Sequence, residues 1–534
     1  MKIVIPEPLP PSAIAMLEAE GWSVDAREGR SAATLSSHVS DADGLIVRGG
    51  TKVTADLIAA APKLRVIARA GTGVDNVDLE AASARGILVL NAPGANSISV
   101  AEHAWALMLA SARSITRADA DMKAGRWSKR TFQGAELRGK ILGVVGLGRI
   151  GREVVRRARA FDMTVIAHDP FVAAQVASDL GIELAPLESL VAQSDFITFH
   201  LPSTEATRGM VSRELLARCK PGARIINTAR GDLLDEAALT EAIEEGRIGG
   251  AALDVFREEP PSETTLTGRP DVVATPHIGA ATAEAQELVS VEAVTSVREY
   301  LRAGVVRNAV NYPSVNAEEF QQLQPYLVLT ERMGRLLAQL SGGRVSGIGL
   351  RYYGALADES HEMLVGSALI GLFREVLSTN VTLVNARSVA EQRGLDVVES
   401  RSSRPRNFTS LVSLKLHADG REYWAEGAVF EPDQPRLVRL DGVEVEAPLD
   451  EGTMIVIRNN DQPGVIGEVG TILGRHGINI STFALGRHDA GAIGVVRVGL
   501  GNASADSDEP NVNDAVLEEI RRAAAVWSAD LVRL

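Results

Sequence analysis

The stretch ILGVVGLGRIGREVVRRARAF, residues 141–161, permits very few backbone conformations. Gly146, Gly148 and Gly151 form the pattern G-x-G-x-x-G directly after an apolar strand and ahead of a helix. The first glycine permits a tight turn, the second lets a pyrophosphate approach the backbone, and the third lets helix and strand pack closely. With Arg149 and Ile150 between the last two glycines, the free N–H groups of the helix start make an anion site. Asp169 ends the next strand, eighteen residues beyond Gly151. An acidic side chain at that place bonds both ribose hydroxyls of a dinucleotide. Its charge repels a 2′-phosphate, and the neighbouring His168 and Pro170 bring no arginine to offset it. NAD rather than NADP is therefore the expected cofactor.

The surrounding chain repeats one rhythm. KIVI, GLIVR, RVIAR and ILVL read as buried strands, with PSAIAMLEAEG and TADLIAAAP as helices among them. A helical stretch runs from about Ser97 to Ala124. A second series follows in ILGVV, TVIAH, FITFH, ARIINTARG, GAALDVF and DVVATPHIG, closed by a helix from about Ala281 to Ala303. Such alternation predicts an α/β fold of parallel sheets covered by helices. From about Asn316 to Leu449 the pattern changes to mixed helices and polar strands. The last eighty or so residues read as strand, helix, strand, strand, helix, strand, the ferredoxin-like order. NASADSDEP, before the last helix, reads as a surface loop.

A chain of 534 residues is too long for one core. Its 45% hydrophobic and 23% charged residues argue against extensive disorder. A net charge of −14 gives no general attraction to nucleic acid or to an anionic membrane. No apolar run reaches the roughly 18 residues of a membrane span, and MKIVIPEPLP has no leader pattern. Cys219 is the only cysteine, so neither a disulfide framework nor a cysteine metal cluster is expected, and a packed helix thiol is. No metal is expected, and a cytoplasmic setting is.

Three strand ends of the second series carry polar residues suited to hydride transfer. Oxidising a hydroxy acid needs a base for the hydroxyl proton, a cation for the carboxylate and a nicotinamide for the hydride. His277 in TPHIGAAT follows the strand DVVAT, Glu259 in FREEPP follows GAALDVF, and Arg230 in NTARGD ends ARIINTA. A carboxylate partner raises a histidine pKa and stabilises the imidazolium. A guanidinium binds a carboxylate in two-pronged fashion. Each residue alone has an ordinary structural explanation. Together they stand on the ligand side of one nucleotide-binding unit.

These stretches resemble the D-isomer-specific 2-hydroxyacid dehydrogenases, over roughly residues 1–312. The resemblance rests on G-x-G-x-x-G with Asp169, NTARGDLLDEAAL, ALDVFREEP and TPHIGAAT. It implies that Arg230, Glu259 and His277 are catalytic. It also implies that Thr228, Ala229, Asp254, Gly279 and Ala280, with Arg230 and His277, help hold NAD. Two Rossmann-like domains are implied: a discontinuous substrate-binding domain of 1–96 and 287–314, and an NAD domain of 97–286. An α+β intervening domain over 315–449 and a C-terminal ACT domain over 452–534 complete the expected division.

Within the family the likeness is to the long form that oxidises 3-phosphoglycerate to 3-phosphohydroxypyruvate, at the entry to L-serine biosynthesis. Arg48 and Arg69, ending neighbouring strands, make a positive pocket suited to a dianionic phosphate, and Asn96 matches a substrate-contacting position. Gly71 and Gly73 allow close backbone approach and mark a carboxylate site. The family often carries Ser or Ala where this chain has Gly49, so only the backbone N–H remains there for the phosphate. The tail NNDQPGVIGEVGTILGRHGINIS resembles ACT domains that bind serine across a subunit interface, with Asp461 and Asn479 at serine-contacting positions and Asn459 where some relatives have His or Tyr. The resemblance thus implies a homo-oligomer, dimer or tetramer, with L-serine as its effector. Three other readings stay open at this stage. They are a dehydrogenase for an unphosphorylated acid such as glycerate or lactate, a non-catalytic NAD-sensing protein, and an ACT domain that only assembles subunits.

Overall fold

Strands buried on both faces need helices above and below, and the sequence supplies them in alternation. The computed structural model describes residues 1–534 except 28, 30–31, 263, 314–316, 359–360, 375–376, 378–380, 405–406, 431–432, 489–490 and 500–511. NASADSDEP lies outside the described residues. The first sheet has five parallel strands in the order Ser23–Ala26, Lys2–Ile5, Gly44–Val47, Val66–Arg69 and Leu88–Leu90. The second has seven, in the order Val272–Ala274, Ile248–Leu253, Ala223–Asn227, Phe196–Phe199, Ile141–Val145, Thr164–His168 and Glu183–Leu184. Chain order reverses between Ile141–Val145 and Phe196–Phe199. Open α/β sheets take ligands in the crevice at such a reversal.

Two helices tie the halves together. Helix Ser97–Arg113 packs on the seven-stranded sheet through Ala101, Ala104, Trp105 and Met108. Helix Ala283–Ala303 returns to the five-stranded sheet through Val289, Ala293, Val297 and Leu301. The expected single helix from Ser97 to Ala124 is two, Ser97–Arg113 and Ile115–Lys123, with Ser114 left-handed at φ 50° between them. The Ala112 carbonyl accepts the Ala135 N–H, so the first helix has no carbonyl there with which to continue. Strand Ser23–Ala26 is absent from the sequence reading because SVDA, on the sheet edge, has no buried residue.

The remaining sheets carry the C-terminal third. Six strands stand in the order Asp396–Ser402, Val345–Gly354, Ser410–Ala418, Arg421–Phe430, Gln434–Leu440 and Val443–Pro448. Four antiparallel strands stand in the order Asn479–His488, Gly491–Gly499, Thr453–Asn459 and Val526–Arg533. That is the ferredoxin-like arrangement expected for the tail. Ile455, Ile457 and Val496 face helices Val465–Arg475 and Asp514–Arg521. Met454, Val456 and Val495 face the other way and share a core with Met333, Leu437 and Val443. Cys219 is a buried thiol, pushed up to about 11 by burial, as a packed cysteine should be.

Helices Ala317–Ser341 and His361–Phe373 meet backbone to backbone. A Cβ at Gly334 would overlap the Ala368 carbonyl, and one at Gly371 would overlap the Glu331 carbonyl. Gly371→Ala should therefore destabilise the chain by about 1–3 kcal/mol, read as a lower urea midpoint by circular dichroism. An unchanged midpoint would mean that the two helices part freely.

Candidate active site

The glycine turn has the geometry a dinucleotide needs. Gly146 is left-handed at φ 97°, and a Cβ there would lie 2.6 Å from the His200 carbonyl oxygen. A Cβ at Gly151 would overlap the Gly146 carbonyl, while nothing stands within 4 Å of one at Gly148. Helix Arg149–Ala158 starts with no side-chain cap, so its first N–H groups are open to an anion. Ile150 packs on the core beneath. Asp169 accepts the Leu147 N–H at 2.8 Å and the Phe171 N–H at 2.9 Å, which places its carboxylate beside the turn. Arg149 donates to the Pro93 carbonyl in the other half. The buried Thr228 hydroxyl has no protein partner. An uncapped helix, an open glycine and an orphaned hydroxyl fit a bound NAD.

Beyond the turn, one buried carboxylate organises the strand ends. Asp254 Oδ1 accepts the Thr275 hydroxyl at 2.6 Å and the Ile278 N–H at 2.9 Å, and Oδ2 accepts the Gly279 N–H at 2.8 Å. His103 Nε2 lies 3.2 Å from Oδ1, and the Ser99 hydroxyl donates to the Gly279 carbonyl. Burial opposes the charge on Asp254, but these bonds outweigh it and hold its pKa below the usual carboxylate value. The loop so pinned presents His277, left-handed at φ 53°. Its Nδ1 lies 2.7 Å from Glu259 Oε2, and Glu259 Oε1 accepts the Phe256 N–H. The Glu259 hydrogen bond raises the His277 pKa against a smaller effect of burial. Burial likewise opposes the Glu259 charge, and the bonds from His277 and Phe256 overcome it, leaving that pKa lowered. His200, in contrast, is driven down to about 4 by burial and stays neutral.

Arg48, Gly49, Arg69, Gly71, Asn96, Arg230, Glu259, His277 and Ala280 line one cleft of about 1000 Å³ between the two parallel sheets. Residues the sequence reading did not single out complete it. Glu7 accepts the N–H groups of Arg48, Gly50 and Thr51, and Asn76 donates to the carbonyls of Arg48 and Thr51. Lys52 adds another cation, and Asp75 pairs with Arg230 at 2.9 Å. Arg69 is pushed below the usual arginine pKa by burial and then by Arg230. Gly71 and Gly73 leave the space above their backbone to side chains. A Cβ at either would overlap a guanidinium, Arg69 over Gly71 and Arg230 over Gly73, so the loop seats two arginines. Asn96 accepts the Thr72 hydroxyl at 2.9 Å. Ala229 donates its N–H to Asn227 Oδ1, which shapes the turn before Arg230. Glu7 could have been found from sequence, since it follows the strand Lys2–Ile5 as Arg48 follows the neighbouring strand Gly44–Val47. Asp75 stands two residues past Gly73, but nothing in sequence joins it to Arg230.

The expected effector residues do not meet within one chain. Asn459 pairs with Ala492 at one end of the four-stranded sheet, and Asn479 pairs with Gly499 at the other. Asp461 is bound to Arg487 Nε at 3.2 Å. Asn459 is 2% exposed and turns its amide to the Asn460 carbonyl, so it is not offered at the surface.

The chain is similar to known proteins over its whole length. The family model for the NAD binding domain of D-isomer specific 2-hydroxyacid dehydrogenases matches residues 105–279. Those for the D-3-phosphoglycerate dehydrogenase intervening domain and the ACT domain match 322–441 and 453–524. D-3-phosphoglycerate dehydrogenase of Methanocaldococcus jannaschii is 41% identical over 535 residues, covering 100% of both chains. That of Mycobacterium tuberculosis is 40% identical over 536 residues, covering 100% of this chain and 99% of its own. Among solved structures, D-lactate dehydrogenase from Aquifex aeolicus, complexed with NAD and lactic acid, aligns at TM-score 0.53 and 27% identity, over 59% of this chain and 100% of that one.

The Asp254 arrangement has a direct test. Asp254→Asn sets an amide N–H₂ against N–H donors, and should cost about 1–3 kcal/mol of stability while speeding hydrogen exchange at 275–280. Exchange there at the parent rate would show that the loop holds without the carboxylate.

Proposed function

Because the chain belongs to the D-isomer-specific 2-hydroxyacid dehydrogenase family, in its D-3-phosphoglycerate dehydrogenase branch, we infer that it oxidises 3-phosphoglycerate to 3-phosphohydroxypyruvate with NAD+. The observation that carries this reading is the shared cleft. The His277–Glu259 pair and Arg230 line it together with Arg48 and Arg69. Bound NAD+ supplies the hydride acceptor, held at the turn of Gly146, Gly148 and Gly151. Arg230 takes the substrate carboxylate, and Arg48, Arg69 and the Gly49 backbone take the phosphate. His277 receives the hydroxyl proton at Nε2, since Nδ1 is turned to Glu259. Glu259 stabilises the imidazolium that results. We assign 1–96 with 287–314 to substrate binding and 97–286 to NAD, with 315–449 and 452–534 as intervening and regulatory units.

Protonation gives a signed expectation. Oxidation needs neutral His277, so activity should fall as pH drops through a pKa raised above about 6.5. Glu259→Gln removes the group that raises it, so the acidic limb should move to lower pH with a slower maximal rate. A limb moved upward would sink the pairing. His277→Ala should lose on the order of 10²–10⁴ in turnover, far more than any loss of NADH affinity.

The regulatory reading is that L-serine inhibits through the ACT unit. Asp461 and Asn479, at opposite ends of one sheet, come together only if a second copy sits two-fold related along strand Asn479–His488. A homo-oligomer is further supported by Ile115, Met122 and Trp127, apolar and 51%, 56% and 79% exposed on one segment. The lone, buried Cys219 suits a cytoplasmic enzyme. NADH formation with 3-phosphoglycerate, D-glycerate and D-lactate, each with and without L-serine, separates these readings. Turnover of 3-phosphoglycerate well above the others, slowed by serine, is expected. Equal turnover of an unphosphorylated acid would favour the smaller-substrate enzyme, and indifference to serine would leave the ACT unit as an assembly module. Sedimentation velocity should show a dimer or larger, and a monomer would overturn the interface.

A further inference from the structure

Arg230 belongs to the NAD half, but two of the groups that fix it come from the other half. Its Nε donates to Asp75 Oδ2 at 2.9 Å and its Nη1 to its neighbour's Ala229 carbonyl at 2.7 Å. A Cβ at Gly73 would overlap Nη2 and lie 2.8 Å from that same Asp75 oxygen, so the guanidinium lies against the loop with no room to spare. Two-pronged binding of a carboxylate requires a guanidinium plane held in one orientation. A side chain with arginine's rotamer freedom does not provide that alone.

Stability does not explain Asp75. Its side chain is 65% exposed, and ion pairs in water contribute little to folding. Direction and charge remain. Among the groups acting on Arg69, Arg230 and Arg48 oppose its charge while Asp75 and Glu7 support it. Glu7 is committed to three backbone N–H groups, which leaves Asp75 as the one of these two carboxylates bound to a cleft guanidinium.

We propose that Asp75 is a positioning residue, which holds the Nε side of Arg230 so that its remaining Nη hydrogens meet the substrate carboxylate. Recognition of a 2-hydroxy acid is then a joint act of both halves of the cleft. The proposal rests on Arg230 as the carboxylate-binding residue.

The test uses the full-length chain and the variants Asp75→Ala, Asp75→Asn, Arg230→Ala and the Asp75→Ala/Arg230→Ala pair. It measures kcat and KM for 3-phosphoglycerate, and NADH affinity by fluorescence titration. Asp75→Ala should lower kcat/KM by roughly tenfold or more, with NADH affinity changed no more than in Arg230→Ala. Asp75→Asn keeps an acceptor for Nε–H and should recover most of the loss. The double variant should be no worse than Arg230→Ala, since both act through one group. A kcat/KM for Asp75→Ala at or above the parent's makes Asp75 a bystander or a competitor and overturns the proposal. So does an Asn variant as impaired as the Ala variant, or an NADH affinity that falls further than in Arg230→Ala. If Arg230→Ala itself leaves kcat/KM intact, the assignment of Arg230 is what has failed, and that result is read independently of Asp75.

Discussion

A charge removed from water must be matched bond for bond, and Asp254 meets that demand in a way that shapes the site. Its oxygens accept a hydroxyl and two backbone N–H groups, all from the segment Thr275–Gly279, with the His103 imidazole beside them. The Gly279 N–H is buried and would otherwise lack a partner, so the carboxylate and the loop stabilise each other's place. His277 is held between them, its N–H bonded to the Asp254 carbonyl and its backbone left-handed. Glu259 is tethered in the same fashion by the Phe256 N–H. Each member of the pair is thus pinned by backbone groups just beyond the adjacent strands Ile248–Leu253 and Val272–Ala274. The 2.7 Å bond between them follows from that framework.

The cleft solves a second electrostatic problem. The chain carries a net charge of −14, yet Arg48, Lys52, Arg69 and Arg230 line one cavity. Gathering cations is costly, and the lowered pKa of Arg69 records it, with burial foremost and Arg230 next. Glu7 and Asp75 offset part of the cost, and a substrate bearing both phosphate and carboxylate would offset more. A focused positive cleft in an acidic protein also draws anions from solution toward one place. The two functions share residues: what holds the cleft together is also what orients its guanidinium groups.

Much of this was legible in the sequence wherever function sits at a strand end. Gly146, Gly148, Gly151 and Asp169 obey spacing rules that the backbone itself imposes, and Arg230, Glu259 and His277 each follow an apolar run. Contacts made through space were not legible. Asp75 and Arg230 are bonded but lie 155 positions apart. Which side chains stand over Gly71 and Gly73 was not legible either, since Arg230 reaches Gly73 from the other half. Ser114 interrupts a helix for want of a carbonyl that Ala135 takes. The burial of Asn459 was likewise hidden, since Thr453–Asn459 is covered on both faces by elements far away in the chain.

The distribution of apolar cores bears on how the C-terminal units can reach the chemistry. The seven-stranded sheet keeps cores of its own, with Val145, Ile225 and Leu253 in or beside them, and helix Ser97–Arg113 belongs there. The five-stranded sheet shares one continuous core with helix Ala283–Ala303, helix Ala317–Ser341 and both C-terminal sheets, from Ile3 through Met333 to Val495. Thr382 reinforces that union by donating to the Gly86 carbonyl, and Asn311 by accepting the Val89 N–H. Close-packed interiors transmit displacement and do not absorb it. The four-stranded sheet therefore shares its packing with the half that carries Arg48, Arg69 and Asp75. That half meets the one carrying His277, Glu259 and the glycine turn through helices Ser97–Arg113 and Ala283–Ala303 and across the cleft, where Arg230 lies on Gly73 and Arg149 on the Pro93 carbonyl.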